Sequence, residues 1–462
     1  MREHGKYSFH RPLAGWRRVL VARFRARRRR DRQSGVAFLI TISALSLLMA
    51  LVAQFTYGTT VDAAQAANAR DEVRAHYLAR SALALSRLLI KIQLRFVEPI
   101  MKTAQTMLAE QMGGQDLGIS LRVTDYITPL LGFFSGSKAE TALLSGIIGV
   151  DTTEATGLGI PAGHMEAEIT NEDGKIDINC GGGSAPVRSR QLMVFRLLQA
   201  LMASPRYNWL FEQRNSQGQF VDRVDLARAI IDWADGDEQA FGVDANSTGP
   251  EDYRYDQRED PYLAHNNNYD TLEEINLVRG MDPDYAEAFA SNLTVYASDP
   301  SQNCRVNLAS VKGDCTPLVV GLVRAALFPD PSKPPLDLSI LDDNRLYPLA
   351  SILCERSRAV GFDSLDTLIG VLTNPSASIS RDDPRYQLMQ NLTGITITKK
   401  QLEQVAYVGP PRVYRVVATG ESGKVKKRLI VILDSQGFLS NPVTNNPVGE
   451  QASGVVQYWR EE

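Results

Sequence analysis

Histidine is scarce in this 462-residue sequence, and the five that occur (His4, His10, His76, His164, His265) are scattered, two of them in a basic N-terminal stretch. HExxH, GxSxG, the phosphate-binding loop and the dinucleotide fingerprint are all missing, which removes the commonest signatures of hydrolases, NTPases and dehydrogenases. Cysteine is equally sparse, and Cys180, Cys304, Cys315 and Cys354 do not have zinc-site spacing. Basic charge is missing from most of the chain. Residues 1–35 hold 12 of the 50 Lys+Arg and only 2 Asp+Glu, which leaves 38 basic against 51 acidic residues over 36–462. So acidic a bulk argues against a nucleic-acid partner, because phosphate binding needs a basic surface. At 44% hydrophobic and 22% charged, the composition also excludes a polytopic membrane protein, a collagen-like chain and a wholly disordered one. The length suits two to four domains of about 100–200 residues.

One long apolar run is present. Val36 to Phe55 reads VAFLITISALSLLMALVAQF without a charge, and its 20 residues, as a helix, cover about 30 Å, a bilayer core. The flank Arg27-Arg28-Arg29-Arg30-Asp31-Arg32 is held on the cytoplasmic side, so the remainder must face outward. A cleaved secretory signal would have a shorter apolar region with small residues after it, whereas Gly35 comes before. An alanine- and leucine-rich amphipathic pattern then extends one helix from 36 to 96, with a softer point at Gly58-Thr-Thr-Val61.

Further along, His164 to Asn179 alternates about a Glu172-Asp-Gly-Lys turn, which predicts a β-hairpin. Helices are expected at 188–212 and 222–234, and from a Thr271-Leu-Glu-Glu capping box onward. A strand is expected at 293–297, then a helix pair at 318–327 and 346–372 turning at Val360-Gly361-Phe362, and a second hairpin from Tyr414–Thr419 to Lys427–Leu433. Such a chain is α+β.

A basic leader, Gly35, and an apolar helix that starts at Val36 and turns amphipathic resemble the class III signal of type IV pilin-like proteins. The resemblance implies cleavage after Gly35 by the prepilin peptidase, with the helix left in place. The phrases Gly174-Lys-Ile-Asp-Ile-Asn179, Ala229-Ile-Ile-Asp-Trp-Ala-Asp-Gly-Asp237, Gly249-Pro-Glu-Asp-Tyr253, Asp260-Pro-Tyr262, Leu272 to Gly280, Leu293-Thr-Val-Tyr296 and Val306-Asn-Leu-Ala309 occur in an order that resembles the general secretion pathway protein K family, the large minor pseudopilins of type II secretion.

That resemblance implies a pilin-like long N-terminal helix on a small antiparallel sheet, with a large inserted helical domain of helix-hairpin-helix or sterile-alpha-motif-like type. The expected organisation is a cleaved leader (1–35), the transmembrane and amphipathic helix (36–96), an insertion of unknown role (97–162), a pilin-like hairpin (163–187), and a helical domain with an acidic loop (188–292). A pilin-like strand (293–310), a second helical module (311–410), a C-terminal hairpin (411–440) and a tail (441–462) complete it. The implied role is structural, not enzymatic. It is a single-pass inner-membrane subunit with a periplasmic domain, at the tip of the pseudopilus, meeting other minor pseudopilins through its N-terminal helix and the major pseudopilin below. In pilin-like families the fifth mature residue is normally a glutamate that pairs with a neighbour's N-terminal amine; here it is Ile40. A membrane-anchored helix-hairpin-helix protein of DNA uptake, or a minor type IV pilin, is the alternative.

Asp232 to Asp260 contains ten acidic residues and two arginines. The group repels itself unless solvated or neutralised, and Ca²⁺, with 6–8 oxygen ligands in irregular geometry, is the natural cation. The spacing is not that of an EF-hand. The family resemblance implies calcium in this loop, and the expected ligands are Asp232, Asp235, Asp237, Glu251 and Asp252. The cysteines allow three pairings; Cys304 with Cys315, closing a short loop, is favoured, and Cys180 and Cys354 are left open.

Overall fold

The computed structural model describes residues 14–111, 122–128, 130–131, 163–215, 218–243, 249–251, 255, 261–296, 300–311, 313–328, 342–360, 362, 364–435 and 454–462. Two compact units divide at Asp71, inside the first helix.

Helix α1 runs from Ala14 to Ile92, and the expected softening at Gly58–Val61 does not interrupt it. Thr59 and Thr60 instead donate their hydroxyls to the carbonyls of Thr56 and Tyr57 at 3.0 and 2.8 Å. In the first unit the apolar side chains from Val36 to Phe55 are exposed, and Thr41 and Ser43 return their hydroxyls to the Phe38 and Leu39 carbonyls. A helix placed in lipid must satisfy its polar groups internally in this way. The described helical segment Gly35–Met107 contains a stretch long and apolar enough to cross a membrane.

In the second unit α1 becomes amphipathic, passes through a π turn at Gln93–Val97 and continues as α2, Glu98–Gln111. Ala75, Leu78, Ala79, Ala82, Leu83, Ile90 and Leu94 face a sheet of order β1-β6-β7-β8, comprising His164–Asn171, Val413–Ser422, Val425–Asp434 and Val455–Glu461. All its neighbours are antiparallel. Alternate residues of β1 (Met165, Ala167, Ile169) and of β6 and β7 (Tyr414, Val416, Ala418, Leu429, Val431, Leu433) pack on the helix, as the period of two requires. The close approach occurs at Gly420, where a Cβ would collide with the Ala75 carbonyl and lie 2.9 Å from Leu78 Cβ. The α+β architecture of a long apolar helix on an antiparallel sheet, with a helical region beside it, is thus as expected.

Three expectations fail in detail. The 163–187 hairpin does not form: β1 pairs with β6, and β2 (Ile176–Asp177) pairs in parallel with β3 (Leu293–Thr294). The reason lies in Glu172-Asp173-Gly174-Lys175, whose acidic side chains are buried anchors rather than an exposed turn. Glu172 accepts from Arg415 and Thr294 Oγ1, both at 2.6 Å, while Asp173 takes the backbone N–H groups of Arg412 and Val413. For the same reason the 293–310 segment is not a strand of the main sheet. Its β3 and β4 (Val306–Asn307) make two-residue parallel ladders, β4 with β5 (Ala406–Tyr407). Within the expected tail, 441–462, the sequence hides β8, the edge strand of the sheet.

The helical region is built on α3 (Arg188–Met202), α4 (Asn208–Glu212), α5 (Arg223–Ala234), α6 (Pro283–Phe289), α7 (Thr316–Leu327), α8 (Asp343–Val360) and α9 (Leu365–Thr373) around one apolar core. The capping box at Thr271 is present but starts a single 3₁₀ segment, Leu272–Leu277. Gly280, at φ +82°, comes after it, a conformation favouring glycine. Gly361 lies outside the described residues, as do 112–121 and 132–162, most of the insertion.

The Cys304–Cys315 pairing is not observed. The disulfides are Cys180–Cys304 and Cys315–Cys354, each with Cα atoms 5.6 Å apart. The fold decides this: Cys304 is placed beside the start of α3, where Cys180 lies, and Cys315 caps α7 beside α8, which carries Cys354.

Candidate metal centre

Helix α5 is capped by Asp222, whose carboxylate accepts from Val224 N at 3.1 Å, and its apolar face buries Leu226, Ala229, Ile230 and Trp233. Asp232 therefore falls in the last helical turn on the inner side, and Asp235 comes directly after the helix in an extended conformation. Glu251 is brought back by a short antiparallel contact, in which Ala240 N donates to Gly249 O at 2.9 Å. Asp232, Asp235 and Glu251 each expose 2% or less of their surface. One carboxylate oxygen from each can be chosen so that all lie within 4.8 Å of one another.

These groups are under-satisfied. Asp232 Oδ1 accepts from Phe241 N at 2.7 Å, and Asp235 Oδ2 from Gln191 Nε2 at 2.6 Å. Asp232 Oδ2, Asp235 Oδ1 and both oxygens of Glu251 have no hydrogen-bond partner. Burial pushes the Asp232 carboxyl up to about 6, despite the Phe241 N–H and the charges of Arg279 and Arg228. Burial, and then the charge of their acidic neighbours, pushes Asp235 and Glu251 up as well. Two carboxylates in contact are both acceptors, so Asp235 and Glu251 bond to each other only by sharing a proton. A cation answers the same need.

The donor set is all oxygen, which suits a hard cation and not zinc. A spacing of 4.8 Å or less is within the diameter of a calcium coordination sphere, about twice 2.4 Å. Beside Asp232, Trp233 has Tyr255, Tyr262, His265 and Tyr269 around it in tilted and edge-on arrangements at centroid distances of 5.8, 6.1, 6.0 and 6.4 Å.

Of the five expected ligands, the structure thus gathers Asp232, Asp235 and Glu251. Asp237 is exposed, its Oδ1 accepting from Gln239 N at 2.8 Å, and stands outside the group. Asp252 lies outside the described residues. Sequence reading missed Gln191, which sits 44 positions away from its partner on α3. It also missed the meaning of Gly181-Gly182-Gly183, although three adjacent glycines signal a close backbone approach.

Residues 190–298, which include this centre, match the family model of the Type II secretion system (T2SS), protein K. The likeness to the protein K family rests on this segment. A solved structure, the GspK-GspI-GspJ complex from the enterotoxigenic Escherichia coli type 2 secretion system, holds a chain similar to this one at 13% identity and a TM-score of 0.38, covering 66% of this chain and 81% of that one. No curated protein matches the chain. The matched segment carries both the acidic centre and residues that join it to the sheet, among them Thr294 beside Glu172.

Proposed function

We propose that this chain is a protein K, a minor pseudopilin of type II secretion, and that it occupies the tip of the pseudopilus and initiates its assembly. In this reading the prepilin peptidase removes residues 1–35, the helix from Val36 stays in the inner membrane, and the sheet and helical region lie in the periplasm. Gly35 supports it by its place between the basic leader and the charge-free run that starts at Val36.

The observation that carries the tip position is Ile40. It is the fifth residue from Val36, it is exposed on α1, and no charge appears after Gly35 until Asp62. A buried carboxylate is costly unless a neighbour's amine pairs with it, so a subunit inserted beneath another gains from the acid. A subunit with nothing above it gains nothing and is better without.

Partners dock on a stripe opposite the sheet-facing side of the helix. Val73, Tyr77 and Leu88 are exposed there, and the π turn adds one residue, rotating the next segment by about 100° so that Phe96, Ile100 and Met107 continue the line. Helices of other minor pseudopilins would cover this stripe, with the major pseudopilin below. Calcium at Asp232, Asp235 and Glu251 would neutralise the acidic loop and hold it against α5.

Labelling the chain in assembled pseudopili tests the tip position: label is expected at filament ends only, and label spread along the shaft overturns it. The mature chain is expected to begin at Val36 by N-terminal sequencing.

A further inference from the structure

Asp235 is held by more than its own loop. Gln191, only 5% exposed, donates its amide to Asp235 Oδ2, while Oδ1 is buried without a hydrogen-bond partner. Gln191 is itself wedged. Gly181 lies so close that a Cβ there would be 2.9 Å from Gln191 Cα and 3.1 Å from its Cγ. Next along the strap, Gly182 abuts the Ala234 carbonyl, and Gly183 N donates to that carbonyl at 2.8 Å. Gly183 also bridges to Asp235, and a Cβ on Gly236 would sit 3.0 Å from Gly183 O. The strap 181–183 therefore fills the gap between Gln191 on α3 and residues 234–236, the last residue of α5 and the two that follow it.

The chain leading into the strap is tied down at two adjacent residues. Asn179 donates to the Tyr269 and Val295 carbonyls at 2.9 and 2.6 Å. Cys180 is bonded to Cys304, whose sulfur lies 3.8 Å from the Arg190 carbonyl, one residue before Gln191. The disulfide thus ties the strap to Cys304, which packs against the first turn of α3.

We propose that the Cys180–Cys304 disulfide and Gln191 are positioning elements of the cation site, so that affinity for a divalent cation depends on that disulfide and not on Cys315–Cys354. This rests on the reading of Asp232, Asp235 and Glu251 as cation ligands. Groups that orient a ligand from outside the coordination sphere typically change metal affinity 10–100-fold.

The test is calcium titration of the full chain in detergent by calorimetry. Gln191→Leu keeps the volume and removes the donor; it is expected to raise the calcium Kd at least tenfold at unchanged stoichiometry. Cys180→Ser with Cys304→Ser is expected to do the same, and combining all three changes should add little, since both act through the orientation of Asp235. Cys315→Ser with Cys354→Ser is expected to lower the melting temperature and leave the Kd unchanged. Should the 180/304 pair fail to fold, Gly181→Ala, which displaces Gln191 by its backbone, carries the same expectation. No calcium binding by the parent chain removes the cation reading and this inference with it. Parent-like Kd in Gln191→Leu and in the 180/304 variant overturns the inference alone and leaves the cation site standing. Equal weakening by loss of either disulfide also overturns it, because the effect is then general loosening.

Discussion

Glu172, directly after β1, and Arg415, in β6, meet at 2.6 Å with the glutamate fully buried. Lys175 and Thr294 complete its surroundings at 3.2 and 2.6 Å, so a single carboxylate joins the sheet to the short β2–β3 ladder of the helical region. Burial alone would raise the Glu172 carboxyl, but the charges of Lys175 and Arg415 outweigh it and hold the group below the usual range.

Glu172→Gln should therefore destabilise the fold by about 3 kcal/mol, the low end for breaking a buried pair, because Arg415 stays partly solvated. A urea titration measures this. A depressed acid contributes stability above its unfolded pKa of about 4.3 that is lost as pH falls through the folded value. The gap between parent and variant should accordingly close in acid.

Glu98 behaves in the opposite sense. Burial pushes its carboxyl up to about 7 against the Gln93 hydrogen bond and the Arg122 charge. A raised acid is protonated longer in the folded chain, so stability falls as pH rises from about 4.5 to 7. Melting curves should show Glu98→Gln matching the parent near pH 4 and melting higher at pH 8.

Peptide mapping under non-reducing conditions should recover Cys180 with Cys304 and Cys315 with Cys354. Cys315 and Cys354 are separated by 39 residues, and removing that crosslink should cost about 4 kcal/mol on the chain-entropy account. A 304–315 peptide pair would contradict the fold described here.

Gly420→Ala should cost about 1–3 kcal/mol, the range for overpacking, because the added carbon meets the backbone of α1 at Ala75 and Ala79, which cannot rotate away. Thermal denaturation monitored by circular dichroism reads it. Tolerance without loss would mean that the helix does not seat this closely.

Calcium should raise the melting temperature and a chelator lower it, since a ligand held only by the folded state adds about 2.7 kcal/mol at one hundred times its Kd. Asp235→Asn and Glu251→Gln should abolish the shift. Asp237→Asn should retain it, as that carboxylate stands outside the group.

Much of the fold could be read directly. The apolar run from Val36 to Phe55, the alternation of Tyr414–Thr419 and Lys427–Leu433, and the capped helices carry their own periodicity, which is local information. β8 escaped because Val455–Glu461 has no alternating burial: its residues are nearly all exposed and it exists by pairing with β7. In the acidic loop, density alone pointed to the region, but ten acids could not be ranked by spacing.

By itself the sequence determined a charge-free helix behind a basic leader, an acidic remainder and an α+β chain, because periodicity and charge are properties of neighbouring residues. Only the tertiary structure decided which acids converge, which cysteines join and where β1 finds its partner. Asp232 and Glu251, Cys180 and Cys304, and Met165 and Gly420 are each brought together across intervening segments, and burial, not spacing, sets the worth of those contacts.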